Sequence, residues 1–285
     1  MTTVPVRARG ILDPGSGALL ALTWSAVTWI GSDGRRVDLT PEHAFDAAAA
    51  AGGAVVLAGE DRLTWWDGAN ARTLAAPGLY RVAAAGRALA GATVDGEVLV
   101  WRDVDSPAEH WHAALEPNEV ALDVVRSRVA VWGARGRVAA LATAEVRAGG
   151  IVADRPDPPW PEATGGVAFP LSGGALAVGS ADGVDVLAPD GKPLRRLPLP
   201  GVEQLAVSAS GATLAWIRTA EADSPTVAGG AGVPERPLPG DKSGLVHLAV
   251  TDAPAVVVIE GAAPDRLHLH RLTREGWAEP AVIDL

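Results

Sequence analysis

Leu79–Asp105 reads LYRVAAAGRALAGATVDGEVLVWRDVD, and its punctuation decides the fold. A run of small apolar residues ends in a turn at Gly86, and a second run ends at Asp95-Gly96. A third run closes on Trp101-Arg102-Asp103. Asp-Gly between two apolar runs is a hairpin signal, because glycine takes the positive φ of a tight turn without steric cost. The stretch therefore reads as successive antiparallel strands of a meander.

Outward from this stretch the same succession recurs. Val27-Thr28-Trp29, Leu63-Thr64-Trp65 and Leu99-Val100-Trp101 follow one another at intervals of 36 positions. Asp-Gly returns at Asp33-Gly34, Asp67-Gly68, Asp182-Gly183 and Asp190-Gly191. No 3.6-residue periodicity is sustained, and Gly or Pro interrupts nearly every ten-residue window, so helix is disfavoured. Ala47–Ala51 has helical propensity, but its phase matches Val82–Ala85, which predicts an inner strand of small side chains. A fixed period of about 40 residues built from short strands is the signature of a repeat ring. The expectation is all-β: a single β-propeller domain over 1–285, with about seven four-stranded blades. The predicted blades are 3–40, 41–77, 78–117, 118–161, 162–201, 202–243 and 244–285. The sixth opens with QLAVSASGATLAWIRT and continues into ADSPTVAGGAGVPERPLPGDKSG. Either that stretch holds two outer strands, or 219–243 is a flexible insert and the ring has six blades.

At these residues the chain resembles the WD40 and YVTN-like propeller repeats. The shared pattern is a small-residue strand, a turn, a strand such as LAGAT, then Asp-Gly, then a strand ending in a Trp near an Asp. Here that ending is Trp65-Trp66-Asp67 and Trp101-Arg102-Asp103, one residue longer than the family's adjacent pair, and no Gly-His dipeptide opens a blade. The resemblance implies a propeller; it implies no activity, because propellers host both binders and enzymes.

Composition narrows the partners. The formal net charge is −10, and the only lysines are Lys192 and Lys242. Such a surface repels nucleic acid and anionic membrane, so neither is an expected partner. With no cysteine there is no disulfide framework and no thiolate metal site. The first residues lack the apolar core of a signal peptide, and no run of about 18 apolar residues offers a membrane span. The expected location is cytoplasmic.

The Trp29, Trp65, Trp101 series is expected to pack between neighbouring blades at one constant position, with Trp24, Trp132 and Trp216 in second strands of the core. His268 and His270 stand two apart on an apparent strand and share a face; with His247 nearby and Asp265 just before them, they are candidate metal ligands. A solvated outer-strand face explains the same pair, since Leu267 and Leu269 put the apolar side opposite. His110 and His112, near Glu109 and Glu116, repeat the spacing. In the proline-rich stretch 154–162, Trp160 with Asp157 and Glu162 is a candidate partner-binding anchor. No nucleophile elbow, phosphate loop or dinucleotide fingerprint occurs. Ser180-Ala181-Asp182-Gly183 approaches an Asp box but has the wrong Gly spacing and no aromatic. No catalytic residue and no cofactor is therefore named. The expected function is a non-catalytic protein-interaction scaffold, with a hydrolase or lactonase acting in the central channel as the alternative.

Overall fold

The first 12 residues of regular structure already show the building rule: one hairpin after another, each strand pairing with the next. The computed structural model describes the chain apart from residues 1–8, 13–16, 24–25, 41–45, 50–53, 60, 124–126, 136–137, 148–149, 154–162, 169–174, 181, 189–191, 209, 220–225, 231, 240–245, 252–254 and 264. The first blade is β1 (Arg9–Leu12), β2 (Leu19–Leu22), β3 (Val27–Ile30) and β4 (Arg36–Thr40). The second is β5 (Asp46–Ala49), β6 (Val55–Ala58), β7 (Arg62–Trp66) and β8 (Ala71–Ala75). The third is β9 (Leu79–Ala85), β10 (Ala88–Thr93), β11 (Glu97–Trp101) and β12 (Glu109–His112). The fourth is β13 (Glu116–Asp123), β14 (Arg128–Arg135), β15 (Val138–Arg147) and β16 (Gly150–Ala153). The fifth is β17 (Ala163–Ala168), β18 (Leu176–Ser180), β19 (Gly183–Leu187) and β20 (Pro193–Leu197). The sixth is β21 (Val202–Val207), β22 (Leu214–Arg218), β23 (Val227–Gly230) and β24 (Val233–Pro237). The seventh is β25 (Val246–Thr251), β26 (Ala255–Ala263), β27 (Arg266–Leu272) and β28 (Ala281–Asp284).

Each blade is a four-stranded antiparallel meander in chain order, and the seven form a β-propeller. The sixth blade settles the count: β23 and β24 lie inside 219–243 and supply its two outer strands. Blade edges fall close to the sequence expectation, except that β13 starts at Glu116, two residues early. Ala47 and its neighbours form the inner strand β5, as their phase predicts. The Asp-Gly turns do not share one phase, however. Asp33-Gly34 and Asp67-Gly68 join third to fourth strands, whereas Asp95-Gly96 and Asp182-Gly183 join second to third. Gly96 needs its glycine twice over: φ is +84°, and a Cβ there would meet the Leu115 carbonyl oxygen at 2.5 Å.

Strand side chains alternate between the two faces of a blade, so each blade buries both faces against its neighbours. Among the described residues the core divides into seven apolar clusters, each spanning one junction between blades. Every blade comes from one continuous stretch, and among the described residues no strand ladder links the first blade to the seventh. The ring closes by packing: Leu19, Ala21 and Ile30 meet Val257, Ile259 and Leu267. Gly10 makes room there, since a Cβ would sit 2.5 Å from Ile259 Cγ2.

The tryptophan series is core, but not at one constant position. Trp29 lies opposite Leu20, and Trp65 opposite Val56, each facing the following blade. Trp101 lies opposite Leu89 and faces the preceding blade. The counterpart of Trp65 in the third blade is Val100, and Trp101 corresponds to Trp66. The repeat thus advances 36 residues from blade one to two but 35 from two to three (65 to 100). One residue of slip moves a side chain to the opposite face.

Candidate functional site

First strands line the axis because their small residues tolerate the crowding. They surround a central cavity of about 560 Å³. Its ionisable lining includes Asp46, Arg81, Glu119, Glu203 and His247. Two of these tie neighbouring blades. Asp46 Oδ2 accepts a hydrogen bond from the Val82 amide at 3.0 Å, joining blade two to blade three in a buried setting. Arg81 Nε donates to the Asn118 carbonyl at 2.7 Å, joining three to four, and its guanidinium lies 4.6 Å from the Tyr80 ring centroid. The Tyr80 hydroxyl donates to the Pro117 carbonyl, and burial pushes its pKa up from the ordinary phenol value.

A second polar centre lies off the axis, in the seventh blade. Along β26 and β27, Val257, Ile259, Leu267 and Leu269 face blade one, which leaves Glu260, His268 and His270 on the face towards blade six. Glu260 and His270 are each 6% exposed, and His268 is half-buried. His270 Nε2 is 3.2 Å from Glu260 Oε2, and His268 stands directly opposite Glu260 in the ladder. The solvated-face explanation of the histidine pair therefore does not apply, because the face opposite the leucines is also an inter-blade face. His247 is on the inner strand β25 and lines the cavity. Asp265 is exposed in the β26–β27 turn. The carboxylate that joins the pair is Glu260, which sequence reasoning missed. Its signal was a lone acid inside the apolar run Ala255–Ala263.

Two further carboxylates meet arginines. Asp185 takes Arg196 through two hydrogen bonds of 2.7 and 3.0 Å. Glu235 takes Arg218 at 2.6 and 2.7 Å and the Trp216 indole at 2.7 Å. The Arg218 hydrogen bonds, followed by that from Trp216, hold the Glu235 carboxyl below the usual carboxylate range against the opposing effect of burial. In blade three, Arg87 of the β9–β10 turn bridges Asp103 and Asp105, which follow β11, and lies 5.2 Å from the ring centroid of Trp65 in blade two. The Arg87 hydrogen bond lowers the Asp103 pKa to about 2.

His110 and His112 are on the outermost strand β12; His112 Nδ1 is 3.0 Å from Glu97, and both are about half exposed. Trp132 and Trp216 are half-buried at the core, the former also reaching the cavity. Trp24, and Trp160 with Asp157 and Glu162, lie outside the described residues. No helix long and apolar enough to cross a membrane occurs among the described residues.

No protein-family model matches the sequence, and no curated protein matches it. Solved structures do match. A complex of KlAtg21 with the coiled coil of AgAtg16 is 10% identical over 98% of this chain and 100% of that one, with a TM-score of 0.66. Streptogramin B lyase is 12% identical over 95% of both chains, with a TM-score of 0.64. The Dos1 propeller is 11% identical over 97% of this chain and 86% of that one, at 0.57. At such identities the likeness establishes the propeller fold alone.

Proposed function

We propose that this propeller is a non-catalytic interaction scaffold, holding partner proteins on its faces or rim as one subunit of a larger cytoplasmic assembly in a bacterium. The observation that carries the reading is the use of charge in the channel: Asp46 and Arg81 brace adjacent blades through backbone groups. A catalytic acid or base must instead be free to reach a substrate proton. The similar KlAtg21 structure holds a coiled coil, which accords with partner binding by this architecture. Trp160, flanked by Asp157 and Glu162, is the anchor we assign to the partner, and the net charge of −10 favours protein over nucleic acid.

A second reading has one observation in its favour. Glu119, Glu203 and His247 line the same cavity, and a lyase shares the fold. The two readings separate in one experiment: tagged chain is recovered from its native host and its stoichiometric companions are identified. The scaffold reading expects a reproducible partner that Trp160→Ala weakens with melting nearly unchanged, and that a Glu203→Gln/His247→Ala variant retains. A companion-free chain that hydrolyses a lactone or ester, with activity abolished in the channel variant, would establish the enzyme instead.

A further inference from the structure

The last three blades each place a carboxylate on the face towards the preceding blade. In the fifth and sixth, Asp185 and Glu235 meet the guanidinium groups of Arg196 and Arg218. In the seventh, Glu260 meets imidazoles. The difference is chemical. A guanidinium is permanently cationic, whereas a neutral imidazole offers a lone pair and no charge. Glu260 shares its face with Val256, Val258 and Leu272, surroundings in which a carboxylate requires a close cation.

We propose that Glu260, His268 and His270 bind a divalent ion of the zinc type. One ligand atom from each falls within 4.8 Å of the others. Two imidazoles and one carboxylate are a donor set that zinc takes with bonds of about 2.0–2.2 Å, leaving a fourth position for water. The 3.2 Å between His270 Nε2 and Glu260 Oε2 suits two adjacent ligands of a tetrahedral ion. His268, half-buried at the open side, closes the remaining distance by rotation of its side chain. The ring of Trp277 stands edge-on to His270, with centroids 6.2 Å apart, and its indole N–H donates to the Pro237 carbonyl of blade six at 2.8 Å. That indole, fixed from outside the blade, holds the imidazole in place. The ion supplies the positive charge that arginine supplies in blades five and six, and it joins the second and third strands of blade seven.

The test uses the full chain, stripped with a chelator and dialysed against Zn²⁺, with Co²⁺ added to a parallel sample. The expected results are one zinc per chain, visible cobalt bands of tetrahedral intensity, and a melting temperature raised by Zn²⁺ and restored by chelator. His268→Ala is expected to weaken binding at least about 100-fold, beyond what outer-shell partners contribute. His247→Ala keeps full binding. Should His268→Ala fail to fold by circular dichroism, His268→Gln serves in its place. Non-stoichiometric zinc, equal in the wild type and the His268 variant, overturns the proposal. So does a melting temperature that Zn²⁺ leaves unchanged.

Discussion

Trp65 and Trp101 end similar tripeptides in successive blades, and they lie in one apolar cluster between blades two and three. Each is 3% exposed, Trp65 entering from the second blade and Trp101 from the third. Trp29 belongs to the neighbouring cluster, 4.8 Å from Trp66 by ring centroids.

This arrangement makes the series energetically unequal in its couplings. Trp101→Ala is expected to destabilise by about 3–5 kcal/mol, through lost burial and the cavity left behind. Combining it with Trp65→Ala is expected to depart from additivity by about 0.5–3 kcal/mol, because the two share a cluster. Combining it with Trp29→Ala is expected to be additive within about 0.5 kcal/mol. Urea unfolding of the singles and doubles measures this. Additivity in both pairs would refute the shared junction.

Asp46 distinguishes a brace from a catalytic acid. Asp46→Ala strands the buried Val82 amide and is expected to cost about 1–3 kcal/mol of stability. Asp46→Asn keeps an oxygen acceptor and is expected to restore most of it. Melting curves of the two variants decide the matter, and equal losses would contradict the brace.

Gly10 tests ring closure. Its missing Cβ leaves space for Ile259 Cγ2, with Leu267 Cδ1 also within 3.1 Å of the Cβ position. Gly10→Ala is expected to destabilise by about 1–3 kcal/mol through overpacking. Trimming Ile259 to Val in the same chain does not remove Cγ2, so Ile259→Ala is the compensating change. Failure of that pair to couple would show that the closure packs differently.

Glu235 gives stability a pH dependence of known sign. Its folded pKa is lowered by Arg218 and then Trp216, so the folded state favours the carboxylate. The contribution is fully present above the unfolded value of about 4.3 and is lost as pH falls through the lower folded value. Glu235→Gln is expected to cost about 2 kcal/mol at neutral pH, the scale of a hydrogen bond to a charged group. Unfolding free energies should converge for the two proteins below that window. A difference unchanged down to the lowest pH would mean the charge of Glu235 is not what stabilises the blade.

Much of this ring was legible in the sequence because turns and apolar runs are local. Asp95-Gly96 and the small residues of β5 and β9 announce strands without knowledge of the rest. Facing was harder to read. A tryptophan spacing of 36 looks like constant position, yet the repeat shortens to 35 residues between blades two and three, so Trp101 falls one position past the counterpart of Trp65 and on the opposite side. The partner of His270 was hidden for a similar reason. Glu260 lies ten residues earlier, and only the β26–β27 register brings it opposite His268. Pairing across a hairpin, rather than spacing along one strand, assembles that centre.

Six of the seven junctions are spanned by the backbone itself, whereas the seventh rests on the packing of Leu19, Ala21 and Ile30 against Val257, Ile259 and Leu267. Mechanically the described ring is a split washer. Among the described residues, a load applied at the two ends of the ring would fall on that seam, where side-chain contacts part without breaking a strand ladder. Excursions of small amplitude there are expected to admit solvent sideways to the axis, and amide exchange in β1 and β25 should outpace that of their counterparts β9 and β13.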